Sequence, residues 1–531
     1  MTILFFIINV FCFYKWGHLE DLEIWPKKIN PRAGQLEVAE KLYDLVKRNK
    51  KVILNAPTGW GKTLVTLIAL KKSGKLPILW LVRSLSIGER VLEDAEKIGL
   101  NGFIAGGRDK TCLYKGYKND IDIYYFCKYS RFKCPFFIGL RKHDVLKNLK
   151  SFMEIVKLGK EEFFCPYYAQ EYYIYRSDII IQNYYRKRPR IFSSLVIDEA
   201  HNILAPREIR ISVSSLLNAL NELLRSDLSR KARKQVETLL KFITLEKTGW
   251  DLYLFFNLET LEEIETLYLK KIIEGIKTDI GYFIKLYGCI IAYRENDYFS
   301  VIKLNKNFEW SPTIYVSGTF LEYFKNFLKV DAEIKVSWRK KLNGFILGWV
   351  TTRYSELERN INEYKKILTL LKLLNRVVVF ASERVISLVK NYATFTEDNL
   401  LDLPKKWQGI LLLKTRGKFS EGVDIDSDAV MILGAPYLTP PVISKLFNVY
   451  KKIGYLNARE LSSDVPMLVT TLQCIGRALR SPESKPLIIL ADYRFYSFKK
   501  FLNEYLDLYK IDSLIDFKKI ILEYKSKEIE V

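Results

Sequence analysis

The stretch VILNAPTGWGKTLVTLIAL, Val52 to Leu70, decides how this chain folds. Its β-branched apolar start predicts a strand, the glycines predict a turn, and the residues after Lys62 read as a helix. At the turn, Ala56 to Thr63 form a Walker A loop with alanine in the first glycine position. Gly59 and Gly61 permit backbone conformations in which successive N–H groups converge on phosphate oxygens at a helix N-terminus. Thr58, Gly59, Gly61, Lys62 and Thr63 are therefore expected to bind nucleotide. Lys62 would reach the β- and γ-phosphates and the Thr63 hydroxyl would hold Mg²⁺.

A companion segment lies further on, at SSLVIDEAHN. An apolar strand there delivers Asp198-Glu199-Ala200-His201, a DEAH box, at its carboxyl end, where ligands bind in α/β sheets. Asp198 is expected to hold the Mg²⁺ shell, and Glu199 to orient or deprotonate the attacking water. Two carboxylates alone also suit a helix cap. Beside Lys62 and Thr63 they point to ATP hydrolysis.

Further strand-like runs, PILWLV, TIYVSGT, RVVVFAS, AVMILGAP and PLIILAD, are short, β-branched and mostly separated by helix-period segments. That pattern predicts parallel sheets buried on both faces, hence α/β architecture. The runs fall into two groups, which predicts two α/β domains with insertions in the first. One insertion is rich in cysteine. The other, near 206–310, carries apolar residues at helical spacing and reads as mainly helical.

The chain has 531 residues, too many for one core. It is 49% hydrophobic and 27% charged, values that exclude a disordered chain. Its net charge of +23 suits a polyanionic partner. The first fourteen residues are apolar but fall short of the roughly 18 needed to span a membrane, and no basic segment or small-residue cleavage site marks a signal peptide. Residues 1–19 are expected to be a docked extension or to follow from a start placed too far upstream. Seven cysteines without even spacing argue against a disulfide framework, so a cytoplasmic protein without stable membrane association is expected.

In the second half, LVTTLQCIGRALRS sets Gln473, Gly476, Arg477 and Arg480 on one helical segment. A guanidinium entering from a second domain can stabilise charge on the transferred phosphoryl group, although isolated arginines are more often surface charges. KTRGKFSEGVDI adds Gly417, Ser420, Glu421, Gly422 and Asp424 in a loop suited to contacting nucleotide and strand backbone.

Taken in order, APTGWGKT, LVRSLSIGERV, VIDEAHN, VSGTF, RGKFSEGVD and QCIGRALRS resemble motifs I, Ia, II, III, V and VI of the superfamily 2 helicases of the XPD/DinG group, XPD most closely. The resemblance runs from about residue 30 to about residue 500. It implies two RecA-like motor domains, single-stranded DNA across their tops, and 5′→3′ translocation. It also implies that Gln35, in NPRAGQ, occupies the adenine-reading position, that Gly422 and Asp424 help bind nucleotide, and that Gln473, Arg477 and Arg480 act in catalysis. Motif III lacks the usual Ser-Pro continuation.

The group inserts a [4Fe–4S] domain between motifs Ia and II. Here Cys112, Cys127, Cys134 and Cys165 occupy that interval, with GRDKTC before the first and CPYY at the last. By chemistry alone four thiolates suit zinc or an iron–sulfur cluster, and the lack of a close C-x2–4-C pair favours the cluster. Cys12, Cys289 and Cys474 read as ordinary thiols. The resemblance divides the chain into motor domain 1 (20–106, 169–205 and 311–335), the Fe–S domain (107–168), a helical Arch domain (206–310) and motor domain 2 (336–531). The segment YIYRSDIIIQNYYRKRPR would line the path of the strand or pack as core. The expected activity is ATP-dependent helicase action on single-stranded and forked DNA by a monomer in a prokaryotic or archaeal cell, associated with the nucleoid, in DNA repair with repair-protein partners. The competing reading is an ATP-driven translocase or remodelling scaffold that separates no strands.

Overall fold

A computed structural model describes residues 24–57, 59–114, 116, 119–140, 149–245, 249–304, 309–319, 328–336, 341–400, 406–417, 419, 425–477 and 485–529. The apolar N-terminal stretch with Cys12, Thr58, Ser420, Glu421, Gly422, Asp424 and Arg480 lie outside the described residues.

Strands β1 (Lys51–Asn55), β2 (Ile78–Val82), β3 (Gly102–Ala105), β4 (Ile179–Asn183) and β5 (Ser194–Asp198) open a first sheet. A small antiparallel sheet, β6 (Arg207–Ser212), β7 (Ile291–Glu295) and β8 (Tyr298–Lys303), interrupts it before β9 (Thr313–Ser317) and β10 (Ala332–Lys335) return to complete it. The first sheet is parallel throughout, in the order β10-β1-β9-β5-β2-β4-β3. The second contains β11 (Leu342–Leu347), β12 (Arg376–Ala381), β13 (Phe395–Thr396), β14 (Gly409–Lys414), β15 (Ala429–Leu433), β16 (Leu487–Ala491) and β17 (Leu506–Ile511). Its order is β13-β14-β12-β15-β16-β11-β17, again all parallel.

The apolar runs make these sheets because both faces are covered. Every residue of β2, β9, β15 and β16 is buried, the pattern of strands packed between two helical layers. Apolar residues from both sheets, Leu79 and Tyr315 of the first and Val430 and Leu490 of the second, belong to one continuous cluster together with Leu472 and Ile475 of the helix Asp464–Arg477. The two units thus meet through the helix that carries motif VI.

The 206–310 segment is helical over Val213–Leu224, Arg230–Thr244, Leu258–Glu274 and Ile280–Ile284, but it rests on the three antiparallel strands, which helical periodicity did not reveal. Its core takes in Phe126 and Cys134 of the cysteine-rich insertion, so the two insertions pack as neighbours. Polar ties reinforce the contact: the Tyr268 hydroxyl donates to Asp122 at 2.6 Å, and that of Tyr125 to Glu265 at 2.7 Å. The second unit touches this region as well. Lys445, on the helix Pro440–Ile453, pairs with Glu295 at 2.7 Å and Glu208 at 3.5 Å, while Val449 packs with Ile291 and Ile302.

At the carboxyl ends of the second sheet's strands sits fully buried Asp492. It accepts from Thr351 Oγ1 at 3.1 Å, Thr352 N at 2.9 Å, Ala435 N at 3.2 Å and the Arg494 guanidinium at 2.6 Å. Burial alone would raise its pKa, but the Arg494 guanidinium and the converging N–H groups hold it below the usual carboxylate value. A carboxylate with a depressed folded-state pKa adds stability above its unfolded-state value, and that stability is lost as pH falls through the folded value. Asp492→Ala strands a half-buried arginine and is expected to cost about 3 kcal/mol, read as a lowered thermal midpoint.

Candidate active site

β1 delivers the Walker A loop at its carboxyl end, and the Ala56 N–H donates to the Ser317 carbonyl at 3.1 Å, which ties motif I to motif III. Gly59 (φ 79°) and Gly61 (φ 99°) lie in the left-handed region, where a side chain would be strained. Gly61 caps the helix Lys62–Lys72, and a Cβ there would stand 2.3 Å from the Gln35 side-chain nitrogen. Gln35 itself is buried, accepts from the Arg32 N–H at 2.7 Å and donates to the Trp60 carbonyl at 2.6 Å. Both polar atoms of the Gln35 side chain thus bond to the backbone around the phosphate loop.

Lys62 and Thr63 open the following helix. The Lys62 ammonium lies deep and donates to the carbonyls of Ala56 at 2.9 Å and Pro57 at 3.1 Å. Burial draws its pKa down, while the nearby Glu199 and Asp198 carboxylates pull it up. Asp198 ends β5, and burial, reinforced by the adjacent Glu199 charge, pushes its pKa up to about 6. A hard cation beside Asp198 would favour its ionised carboxylate, an oxygen donor of the kind Mg²⁺ takes.

Glu199 is held at φ 46° and ψ 50°, a conformation that costs an ordinary residue roughly 1–3 kcal/mol. Its surroundings over-determine it. The Glu199 N–H donates to Asp198 Oδ1 at 3.0 Å, and the hydroxyl of buried Tyr184 donates to the carbonyls of both Asp198 and Glu199. Tyr184 was not singled out from sequence, since it lies just past β4 in a segment whose aromatic content reads equally as core.

His201 connects these parts. Its Nδ1 lies 2.9 Å from Ser317 Oγ, 3.3 Å from Thr319 Oγ1 and 3.4 Å from Glu199 Oε2. Its Nε2 lies 3.2 Å from the side-chain nitrogen of Gln473, in the second unit. Burial lowers the pKa of this histidine and favours the neutral ring. A neutral ring that accepts from Gln473 at Nε2 carries its proton on Nδ1, facing Ser317 and Glu199. Arg477, four residues beyond Gln473, is also buried, and its charge is felt at Lys62. Its carbonyl accepts from the Ile425 N–H at 2.8 Å. The structure thus gathers Lys62, Thr63, Asp198, Glu199, Gln473 and Arg477, and adds His201, Ser317 and Tyr184.

The cysteines have their own enclosure. Cys112, Cys127, Cys134 and Cys165 line one cavity with Arg108, Leu113, Ile123 and Phe126. Cys134 and Cys165 each stand directly before a proline that opens a helix, Pro135–Leu140 and Pro166–Ile174. Burial pushes the Cys127 thiol up to about 11 and Cys165 up to about 12, and each is raised further by neighbouring cysteines. Anionic sulfurs here thus need a compensating positive centre. Arg108 provides part of it, its guanidinium 4.1 Å from the Tyr167 ring centroid and its buried Nε without a hydrogen-bond partner. Among the described residues, no three His, Cys, Asp or Glu side chains are drawn together closely enough to hold a single metal ion. Cys289 and Cys474 are buried elsewhere, each pushed up to about 12 by burial, as inert thiols.

Two parallel-sheet units, one bearing the Walker A and DEAH segments and the other engaging them through a motif VI helix, define the helicase class of ATPase. Residues 28–229 match the family described as Type III restriction enzyme, res subunit, and residues 347–506 match the Helicase C-terminal domain. The ATP-dependent DNA helicase XPD of Sulfolobus acidocaldarius is 27% identical over 545 residues, which cover 88% of this chain and 96% of that protein. A probable ATP-dependent helicase from Methanocaldococcus jannaschii is 27% identical over 209 residues, 35% of this chain and 30% of its own. An XPD helicase structure matches with a TM-score of 0.61 at 20% identity, covering 91% of this chain and 100% of that one. The S. tokodaii Xpd4 structure gives 0.59 at 17%, covering 90% and 100%. Over most of its length the chain is thus similar to ATP-dependent DNA helicases of the XPD type. Among the described residues, no helix is long and apolar enough to cross a membrane.

Proposed function

We propose that this helicase moves 5′→3′ along single-stranded DNA, hydrolyses ATP in the seam between its two sheets, and separates duplex strands at the insertions during DNA repair. The observation that carries this reading is the His201 bridge, because it joins Glu199 of one motor to Gln473 of the other. In the proposed mechanism Lys62 holds the β- and γ-phosphates, and Thr63 and Asp198 hold Mg²⁺, which when bound neutralises charge on the phosphate oxygens. Glu199, fixed by His201 and the Tyr184-braced turn, orients the attacking water and accepts its proton. Arg477 stabilises the charge on the transferred group. Motor opening would separate Gln473 from His201, so that hydrolysis and movement become coupled.

The residue ranges proposed for the domains follow this division of labour: two motors (20–106, 169–205 and 311–335; 336–531), with the 107–168 and 206–310 insertions acting together as the wedge. The protein is proposed to act as a monomer in the cytoplasm. We further propose that Cys112, Cys127, Cys134 and Cys165 hold a [4Fe–4S] cluster, which when bound cross-links the insertion rather than supplying redox chemistry. Four thiols around a cavity walled by apolar side chains fit a cluster. Structural zinc would draw them to about 2.3 Å from one ion. Anaerobically purified protein is expected to contain about four irons and four sulfides per chain, with broad visible absorption; stoichiometric zinc without sulfide would contradict the cluster.

A further inference from the structure

Two solvent-facing tyrosines stand beyond the carboxyl ends of parallel strands, one on each motor sheet. Tyr185 follows β4 and is 49% exposed; Tyr354 follows β11 and is 79% exposed. In each seven-stranded sheet the strand concerned lies one in from an edge, and in each case the tyrosine lies beyond its carboxyl end. Each ring carries an arginine. The Arg207 guanidinium lies 4.5 Å from the Tyr185 centroid, and that of Arg384 lies 4.2 Å from Tyr354.

Both mounts are fixed. The Tyr185 N–H donates to Asn183 Oδ1 at 3.0 Å, and the Asn183 amide donates to the Arg83 carbonyl at 2.5 Å, in the motif Ia segment. Behind Tyr354, Thr352 is held by buried Asp492, and the Arg353 N–H donates to Thr351 Oγ1 at 3.2 Å. An aromatic ring left in water on a rigid support forgoes burial that would stabilise it. An arginine stacked on one face leaves the other face open and adds a cation beside it. A flat aromatic surface with an adjoining positive charge is what an unpaired base and its phosphate require, and it is tolerant of sequence because every base has a π-face.

We infer that Tyr185 with Arg207 and Tyr354 with Arg384 are base-stacking stations for single-stranded nucleic acid, one on each motor. This rests on the proposed function and adds to it the residues by which each motor grips a base. With one station per motor, a change in the seam alters the distance between two held bases, and the strand must slip at one of them.

The test measures binding of the full-length protein to a short labelled single-stranded DNA of mixed sequence, and to an abasic strand of equal length. Tyr185→Ala and Tyr354→Ala are each expected to weaken binding of the mixed strand by roughly 5- to 100-fold. Abasic-strand affinity should stay unchanged. Tyr185→Phe and Tyr354→Phe should restore binding to within about twofold of wild type, since they keep the ring. Alanine variants that bind the mixed strand as wild type does would overturn the stations while leaving the proposed helicase function standing. Equal losses on both strands would overturn stacking in favour of a backbone contact. A wild-type protein that binds no single strand would overturn the stations and the proposed function together.

Discussion

Lys62→Ala is expected to reduce DNA-stimulated ATP hydrolysis by at least about 10³-fold and to abolish strand displacement with it. The lysine is the cation aimed at the phosphates from the loop itself, held between the Walker A carbonyls and the Glu199 and Asp198 carboxylates. Its loss removes charge where negative charge develops in the transition state, and neither Arg90 nor Arg477 enters from the phosphate loop. The fold should survive. Lys62 gives two hydrogen bonds to carbonyls at the loop's mouth, and the neighbouring helix keeps its buried face from Val65 to Leu70. Steady-state phosphate release and a thermal melt on the same preparation check both halves. Unimpaired unwinding by this variant would remove the motor assignment.

Cys112→Ser is expected to abolish the visible absorption and cut strand displacement by more than about tenfold, while much of the ATP hydrolysis persists. Cys112 is the least buried of the four cysteines, so serine there removes a proposed ligand with the smallest loss of packing. The structural reason for a selective effect is the placement of the residues around the proposed cluster. Phe126 and Cys134 share a core with the helical insertion, whereas the nucleotide residues Lys62, Asp198 and His201 are anchored by the parallel sheet. A loosened insertion therefore blunts the wedge before it reaches the motor. Equal losses of hydrolysis and unwinding would show that the insertion supports the motor fold as well.

How much of this could be read from the sequence depended on how local the signal was. The runs VILN, ILWLV, SLVID, TIYVS, RVVVFA, AVMIL and LIILA are all strands, because strands buried on both faces leave an unbroken apolar trace. β3 (GFIA), β10 (AEIK), β11 (LNGFIL), β13 (FT), β14 (GILLLK) and β17 (LDLYKI) escaped that reading. Of these, β3, β10, β13 and β17 lie at sheet edges and are short or alternate with polar residues. The strand IIIQN also escaped, read only as part of an aromatic and basic segment that would line the strand's path or pack as core. In the structure it is a buried interior strand, with Tyr184 turned to the DEAH segment and Tyr185 to solvent.

The small antiparallel sheet was hidden for another reason: REIRIS pairs with a strand far away across four helices. Within the site, motifs I and II were legible because each is one strand and one turn. The His201 bridge was not, since Ser317, Thr319 and Gln473 reach it from separate segments. Gln35 shows the same limit. The resemblance implied an adenine-reading position, and its bonds to Arg32 and Trp60 became visible only with the loop folded.

ATP turnover by this chain is proposed to separate DNA strands. This is tested most directly by following release of a labelled strand from forked duplexes carrying a single 5′ or a single 3′ tail, with ATP and Mg²⁺. ATP-dependent release is expected from the 5′-tailed fork and little from the 3′-tailed one. Hydrolysis stimulated by single-stranded DNA without release from either fork would contradict it, and would make the protein a translocase that remodels what it meets without unwinding it.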